Sequence, residues 1–128
     1  MKLVFFNEDS LNEMCGDDVN FKIEVAYTFS EMTKKDIEVL KEAISHDEKI
    51  VVKARMHKLK SSLDFIGAQE LSKWANKIED VIGNNKLKVS DLNEDITAFI
   101  KVLNNARKEM ESLGDYLSKE VSKQKVKA

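Results

Sequence analysis

The strongest pattern in the chain is a seven-residue repeat of apolar positions near its C-terminal end. Apolar side chains follow one another in alternating steps of four and three residues, at Leu92, Ile96, Phe99, Leu103, Ala106, Met110, Leu113 and Leu117. This spacing places them on one side of an α-helix and is typical of a helix packed nearly antiparallel to others in a bundle. It predicts a long last helix, capped by Ser90 or Asp91. Gly114 inside this helix costs about 1 kcal/mol of helix propensity relative to alanine.

Similar spacing upstream predicts four more helices. They cover about 8–15, 18–45, 47–66 and 68–82. Asp17 or Asp18 caps the second helix, and Asp47 opens the third. Three of the helices are expected to end at glycines with positive φ, namely Gly16, Gly67 and Gly83.

These elements predict an all-α protein, an antiparallel four-helix bundle with a short N-terminal helix. We expect a single domain, 1–128, with its core over about 8–118. Segment 119–128 loses the apolar spacing and is expected to be a frayed basic tail. Because the chain begins at Met1 and no linker leads to another domain, we expect a freestanding protein.

Composition narrows the class of protein that these helices form. Among 128 residues, 21 Lys and Arg oppose 23 Asp and Glu, so the chain lacks the positive charge that drives nucleic-acid binding. A hydrophobic content of 42% is enough for a buried core. The single cysteine, Cys15, excludes an internal disulfide framework, a cysteine-rich zinc site and a CxxC redox centre. No stretch approaches the roughly 20 apolar residues of a membrane span. We therefore expect a cytoplasmic monomer that binds neither nucleic acid nor membrane.

His57 is the first candidate for chemistry. The core face of the third helix is predicted to consist of Val52, Met56, Leu59, Leu63 and Ile66. At about 100° per residue, His57 points about 140° away from that face, towards solvent. Ala54 and Ser61, one turn before and after it, are small and leave the imidazole clear of tall neighbours.

The outer face around His57 is predicted to be a docking surface. Ile50 and Phe65 add exposed apolar area beside the protruding imidazole. Lys53 and Lys60 lie on one flank of it, where an ammonium would stabilise a phosphoryl group on the ring. The predicted surface, called the docking strip below, consists of Ile50, Lys53, Ala54, Lys58, Ser61, Asp64 and Phe65.

The sequence HKLKSSLDFIGA, which starts at His57, resembles the signature of histidine-containing phosphotransfer (HPt) domains, H-x-L-K-G-S-S followed by three variable residues and G-A. The matching positions are His57, Leu59, Lys60, Ser62, Gly67 and Ala68. The context is also similar: an acidic short first helix, a long second helix and L-x-x-x-A-x-x-I-E after the motif. The resemblance covers about residues 8–110. Ser61 departs from it, since the family has glycine there.

The resemblance implies a four-helix bundle without kinase activity that accepts a phosphoryl group from a receiver-domain aspartate and passes it to another receiver. It implies that His57 is phosphorylated on Nε2, that Lys60 orients or neutralises the phosphoryl oxygens, and that Glu79 accepts a hydrogen bond from the other ring nitrogen. The implied partners are receiver domains and a hybrid sensor histidine kinase. No cofactor is expected on this chain, and the Mg²⁺ belongs to the receiver.

Blander interpretations remain open from the residues alone. A lone surface histidine is usually just solvated, as we infer for His46, and Glu79 is equally compatible with an ordinary flanking charge. An adaptor that binds a receiver or kinase without phosphotransfer is the second functional hypothesis. A metal-binding bundle is disfavoured, because neither histidine has a glutamate three residues before it. No GxxxxGK[ST] or GxGxxG motif indicates ATP binding.

Overall fold

Six helical segments form the architecture of the computed structural model, which describes residues 1–84 and 86–127, with 125–127 as backbone alone. They are α1 (Glu8–Cys15), α2 (Val19–Ser45), α3 (Lys49–Phe65), α4 (Gln69–Ile82), a 3₁₀ turn (Val89–Leu92) and α5 (Asn93–Lys127). The predicted all-α class is confirmed. Within the described residues, none of the helices is long and apolar enough to cross a membrane.

The four long helices pack as an antiparallel bundle. Helix α2 lies along α5 and also contacts α3, while α3 lies along α4. Connections at 46–48 and 66–68 are so short that consecutive helices must reverse direction. The predicted apolar seam of α5 faces inward, where the buried members are Ile96, Phe99, Leu103, Ala106, Met110 and Leu113. The two ends of that seam, at Leu92 and Leu117, are partly buried.

Two turns differ from the prediction. Helix α3 begins two residues after Asp47, which adopts a left-handed φ of 52° in the turn. Its Oδ1 accepts a hydrogen bond from the backbone N–H of Val89 at 3.1 Å, so the side chain joins two loops instead of capping α3. Gly83 does end α4, but with a right-handed φ of −67°. Only Gly16 and Gly67 have the predicted positive φ.

Helix α5 begins and ends later than the apolar spacing predicts. Ser90 and Asp91 lie in the 3₁₀ turn that precedes α5, so neither caps the long helix. Asp91 instead accepts a hydrogen bond from the backbone N–H of Lys88 at 2.8 Å. At its other end α5 continues to Lys127, well past residue 118, and Ala128 lies outside the described residues.

The irregular N-terminal segment fastens the end of α3 to the bundle. The Glu109 carboxylate of α5 accepts hydrogen bonds from the backbone N–H groups of Val4 at 2.9 Å and Phe5 at 3.0 Å. Two residues later, the N–H of Asn7 donates to the carbonyl of Gly67 at 2.9 Å. The turn between α3 and α4 is therefore held from outside the four-helix bundle.

Candidate functional site

His57 lies on the outer face of α3. Its side chain is 63% exposed, whereas the neighbouring Met56 and Leu59 are buried. The helix turns the apolar residues into the core and leaves the imidazole in solvent. This arrangement agrees with the orientation expected from the 3.6-residue period.

The ring of His57 is held by Glu79 of the antiparallel helix α4. The distance between Nδ1 of His57 and Oε2 of Glu79 is 2.8 Å. An ionised carboxylate only accepts hydrogen bonds, so the Nδ1–H of His57 is the donor. In the neutral ring this arrangement leaves the lone pair on Nε2, the nitrogen that does not contact Glu79.

Lys60 completes a small network around the same carboxylate. Its ammonium lies 3.1 Å from Oε1 of Glu79 and donates to Oδ1 of Asn76 at 3.2 Å. Partial burial raises the pKa of the Glu79 carboxyl, but its contacts with Lys60 and His57 lower the pKa more. The net effect is a pKa below the ordinary value of 4.5. Glu79 is thus an ionised acceptor at neutral pH.

The lysines around His57 have different surroundings. Lys58 lies 3.1 Å from Oδ1 of Asp36, a buried carboxylate of α2 that also pairs with Arg55 at 2.7 Å. Lys60 is directed to the other side, towards α4. Lys53 is exposed, and its ammonium lies near Gly83 at the end of α4. The positive charges therefore flank the histidine on both sides.

All residues of the docking strip lie on the solvent side of α3. Ile50 is 86% exposed and Phe65 is 73% exposed, which are large fractions for apolar side chains. The strip therefore presents apolar area on both sides of His57 along the helix. Such exposed apolar area is typical of an interaction surface.

Two parts of the site were not predicted. One is Asn76, since nothing in its spacing distinguishes it from other polar residues of α4. The other is an apolar groove between α2 and α3, where Phe21, Val25 and Met32 face Phe65. The spacing of those three α2 residues, at steps of four and seven outside the core seam, is a signal that would have revealed the groove.

Nothing in the described part of the chain resembles a metal centre. No group of three or more His, Cys, Asp or Glu side chains there is arranged to hold an ion. The surroundings of the other histidine differ from those of His57. His46 lies at the end of α2, with its Nδ1 2.9 Å from the carbonyl oxygen of Glu42.

Comparisons with known proteins agree with this fold. The family model of the Hpt domain matches residues 24–118. The HPT domain of an Hpt sensor hybrid histidine kinase from Shewanella matches with a TM-score of 0.76 and 17% identity, over 89% of this chain and 97% of that one. Histidine-containing phosphotransfer protein B of Pseudomonas aeruginosa matches with a TM-score of 0.67 and 13% identity, over 95% and 98%. No curated protein sequence matches.

At these identities the two solved structures establish the fold alone. The family match, whose range includes His57, establishes the family. Hpt domains interact with receiver domains and hybrid kinases in phosphorelays and are not classical kinases. The match covers well over half of the chain. The chain therefore belongs to the Hpt domain family and is a phosphorelay carrier of two-component signal transduction.

Proposed function

We propose that His57 is the residue of this carrier that accepts the phosphoryl group. The observation that supports this assignment is the 2.8 Å contact between Nδ1 of His57 and the Glu79 carboxylate, on a ring that is otherwise exposed. The donor is the phosphorylated aspartate of one receiver domain, and the acceptor is the aspartate of another. The exposure of His57 suits this exchange, because a receiver active site must reach Nε2.

The transfer is a displacement at phosphorus. The lone pair of Nε2 forms the P–N bond while the P–O bond to the receiver aspartate breaks, and the aspartate leaves as a carboxylate with the bonding electrons. The Nδ1 proton stays on the ring, donated to Glu79. Onward transfer reverses these bonds on a second receiver. No further proton donor is needed, so the chain acts as a carrier and not as an enzyme.

Lys60 supports the reaction by charge. Its ammonium offsets the Glu79 carboxylate beside the ring and orients or neutralises the oxygens of an arriving phosphoryl group. Phosphoryl transfer depends mostly on positioning and charge stabilisation, which the network of Lys60, Glu79 and His57 supplies.

The docking strip is the proposed contact for receivers. Its exposed apolar residues, Ile50 and Phe65, lie on either side of the small residues Ala54 and Ser61. Lys53, Lys58 and Asp64 add charge around them. Ser61, in place of the family glycine, adds only a hydroxymethyl group, so we propose that docking is retained. We also propose that the carrier is a cytoplasmic monomer that uses no cofactor of its own and relies on Mg²⁺ bound by the receiver.

Incubation with a panel of purified, phosphorylated receiver domains tests this function. The wild-type protein should acquire an acid-labile, base-stable label that His57→Gln does not acquire. His46→Gln is the matched control, because it removes the other histidine, which is exposed at the end of α2, and it should label normally. A wild-type protein that binds receivers and changes their output without acquiring label would instead be an adaptor.

A further inference from the structure

Helices α3 and α4 face each other in successive pairs along the site. Lys60 pairs with Asn76, and His57 pairs with Glu79. One turn further along, Lys53 faces Gly83: the Lys53 ammonium lies 3.5 Å from the position that a Cβ on Gly83 would occupy. Because glycine has no side chain, α4 offers this lysine no carboxylate or amide at the third pair.

We propose that Lys53 binds the phosphoryl group on His57 and stabilises it together with Lys60. This inference rests on the proposed role of His57 and assigns a phosphoryl ligand outside the matched motif. Residues four apart on a helix are neighbours, with about 5–6 Å between their Cβ atoms. Lys53 has a long, flexible stem, which allows its ammonium to leave Gly83 and approach a group on Nε2, one turn along α3.

The other two lysines have partners that compete with a phosphoryl group. Lys58 is 3.1 Å from the Asp36 carboxylate, and Lys60 is 3.1 Å from the Glu79 carboxylate. Among the described residues, the ammonium of Lys53 makes no ion pair or hydrogen bond with a side chain. Its charge is therefore not shared with a carboxylate before phosphorylation.

The ammonium of Lys53 lies beside the C-terminal end of α4. The same Cβ position on Gly83 lies 3.3 Å from the carbonyl oxygen of Asp80 and 3.6 Å from that of Glu79, at the C-terminal end of α4. This end of a helix dipole carries a partial negative charge. A phosphoryl group carries up to two full charges and attracts the ammonium more strongly.

The second ionisation of the phosphoryl group tests this proposal without a receiver. Phosphoramidate serves as the donor: Nε2 forms the P–N bond to the ring, and ammonia leaves. The titration of phospho-His57 is then followed by ³¹P NMR at low salt in wild type, Lys53→Met and Lys53→Arg. Lys101→Met, which removes an exposed lysine from α5, is the matched control.

We expect Lys53→Met to raise the proton affinity of the phosphoryl group about two- to fivefold, the range of an exposed ion pair. Lys53→Arg should restore most of the difference, Lys101→Met should match wild type, and salt should reduce the effect. Glu79 and Lys60, the other charged groups at the ring, are the same in all four proteins. Equal titrations in wild type and Lys53→Met would overturn this proposal and leave the role of His57 intact. No label on wild-type His57 from either phosphoramidate or any phosphorylated receiver would overturn both.

Discussion

Nδ1 of His57 and Oε2 of Glu79 lie 2.8 Å apart across the contact between α3 and α4. This hydrogen bond does two things at once: it selects the tautomer of the ring, and it fixes the direction in which Nε2 points. The histidine is exposed, yet its orientation is determined by a carboxylate that is only 13% exposed. An exposed imidazole is thereby held by a rigid element of the fold.

Replacing Glu79 should slow phosphorylation in a way that depends on the acceptor that remains. Glu79→Leu removes the acceptor for Nδ1–H and should slow phosphorylation by phosphoramidate about fivefold, the equivalent of about 1 kcal/mol for one hydrogen bond. Glu79→Gln retains a carbonyl acceptor and should lose much less. Glu70→Leu, at a fully solvated position of the same helix, is the control. Equal rates in Glu79→Leu and wild type would show that the contact has no role in reactivity.

The stabilising effect of Glu79 should disappear in acid. Its pKa is lower in the folded protein than the ordinary value of 4.5, so the folded state favours the ionised form. Such a group contributes stability above its unfolded pKa, and that stability is lost as the pH falls through the folded pKa. The difference in unfolding free energy between wild type and Glu79→Gln, measured by urea denaturation, should therefore be present above pH 4.5 and shrink as the pH falls below it. A difference that is independent of pH would contradict this explanation.

We expect the ring of Tyr27 to leave no room for a side chain at position 114, where the chain has Gly114. A Cβ at Gly114 would lie 2.8 Å from Cε1 of Tyr27, whose hydroxyl donates to Asp115 at 2.6 Å and holds the ring in place. We expect Gly114→Ala to destabilise the protein by about 1–3 kcal/mol through overpacking. In a Tyr27→Ala background the same change should stabilise it by up to about 1 kcal/mol, because alanine is the better helix former. The same sign in both backgrounds, measured in a double-mutant cycle, would rule out the clash as the cause.

Gly67→Ala should be more damaging than Gly16→Ala. Both glycines have positive φ, at 88° and 61°, so both substitutions strain the backbone. A Cβ at Gly67 would also lie 3.0 Å from Cβ of Ser10 and 3.2 Å from the carbonyl oxygen of Asn7, whereas nothing lies within 4 Å of a Cβ at Gly16. Thermal unfolding of the two variants gives the comparison. Similar losses of stability in the two variants would mean that the N-terminal segment moves away from the added Cβ with no loss of stability.

Periodicity predicted the parts of this structure that depend on one helix at a time. The inward seam of α5 and the outward direction of His57 follow from 3.6 residues per turn and the burial of apolar side chains. The same rule put Glu79 at the margin of α4, and the family resemblance then paired it with His57. The structure brings these two residues together.

Contacts between helices were harder to predict. The direction of each basic side chain of α3 depends on which carboxylate lies opposite. Arg55 pairs with Asp36, which is 19 positions earlier in the chain, so no local pattern connects the two. Asp47 is of a residue type that favours the N-cap position. Its carboxylate instead accepts a hydrogen bond from the backbone N–H of Val89, in the 3₁₀ turn before α5. Periodicity defines the face of a helix, whereas the partner across the interface depends on rotamers and on helix offset.

Locating the phosphorus atom on the imidazole tests the central claim most directly. The protein, with its histidines labelled with ¹⁵N, is phosphorylated by a receiver that transfers to it, and phosphorus–nitrogen couplings are recorded by NMR. The account predicts one phosphorylated residue, His57, with phosphorus on Nε2 and a proton retained on Nδ1. Phosphorus on Nδ1 of His57, or on any residue other than His57, would contradict it.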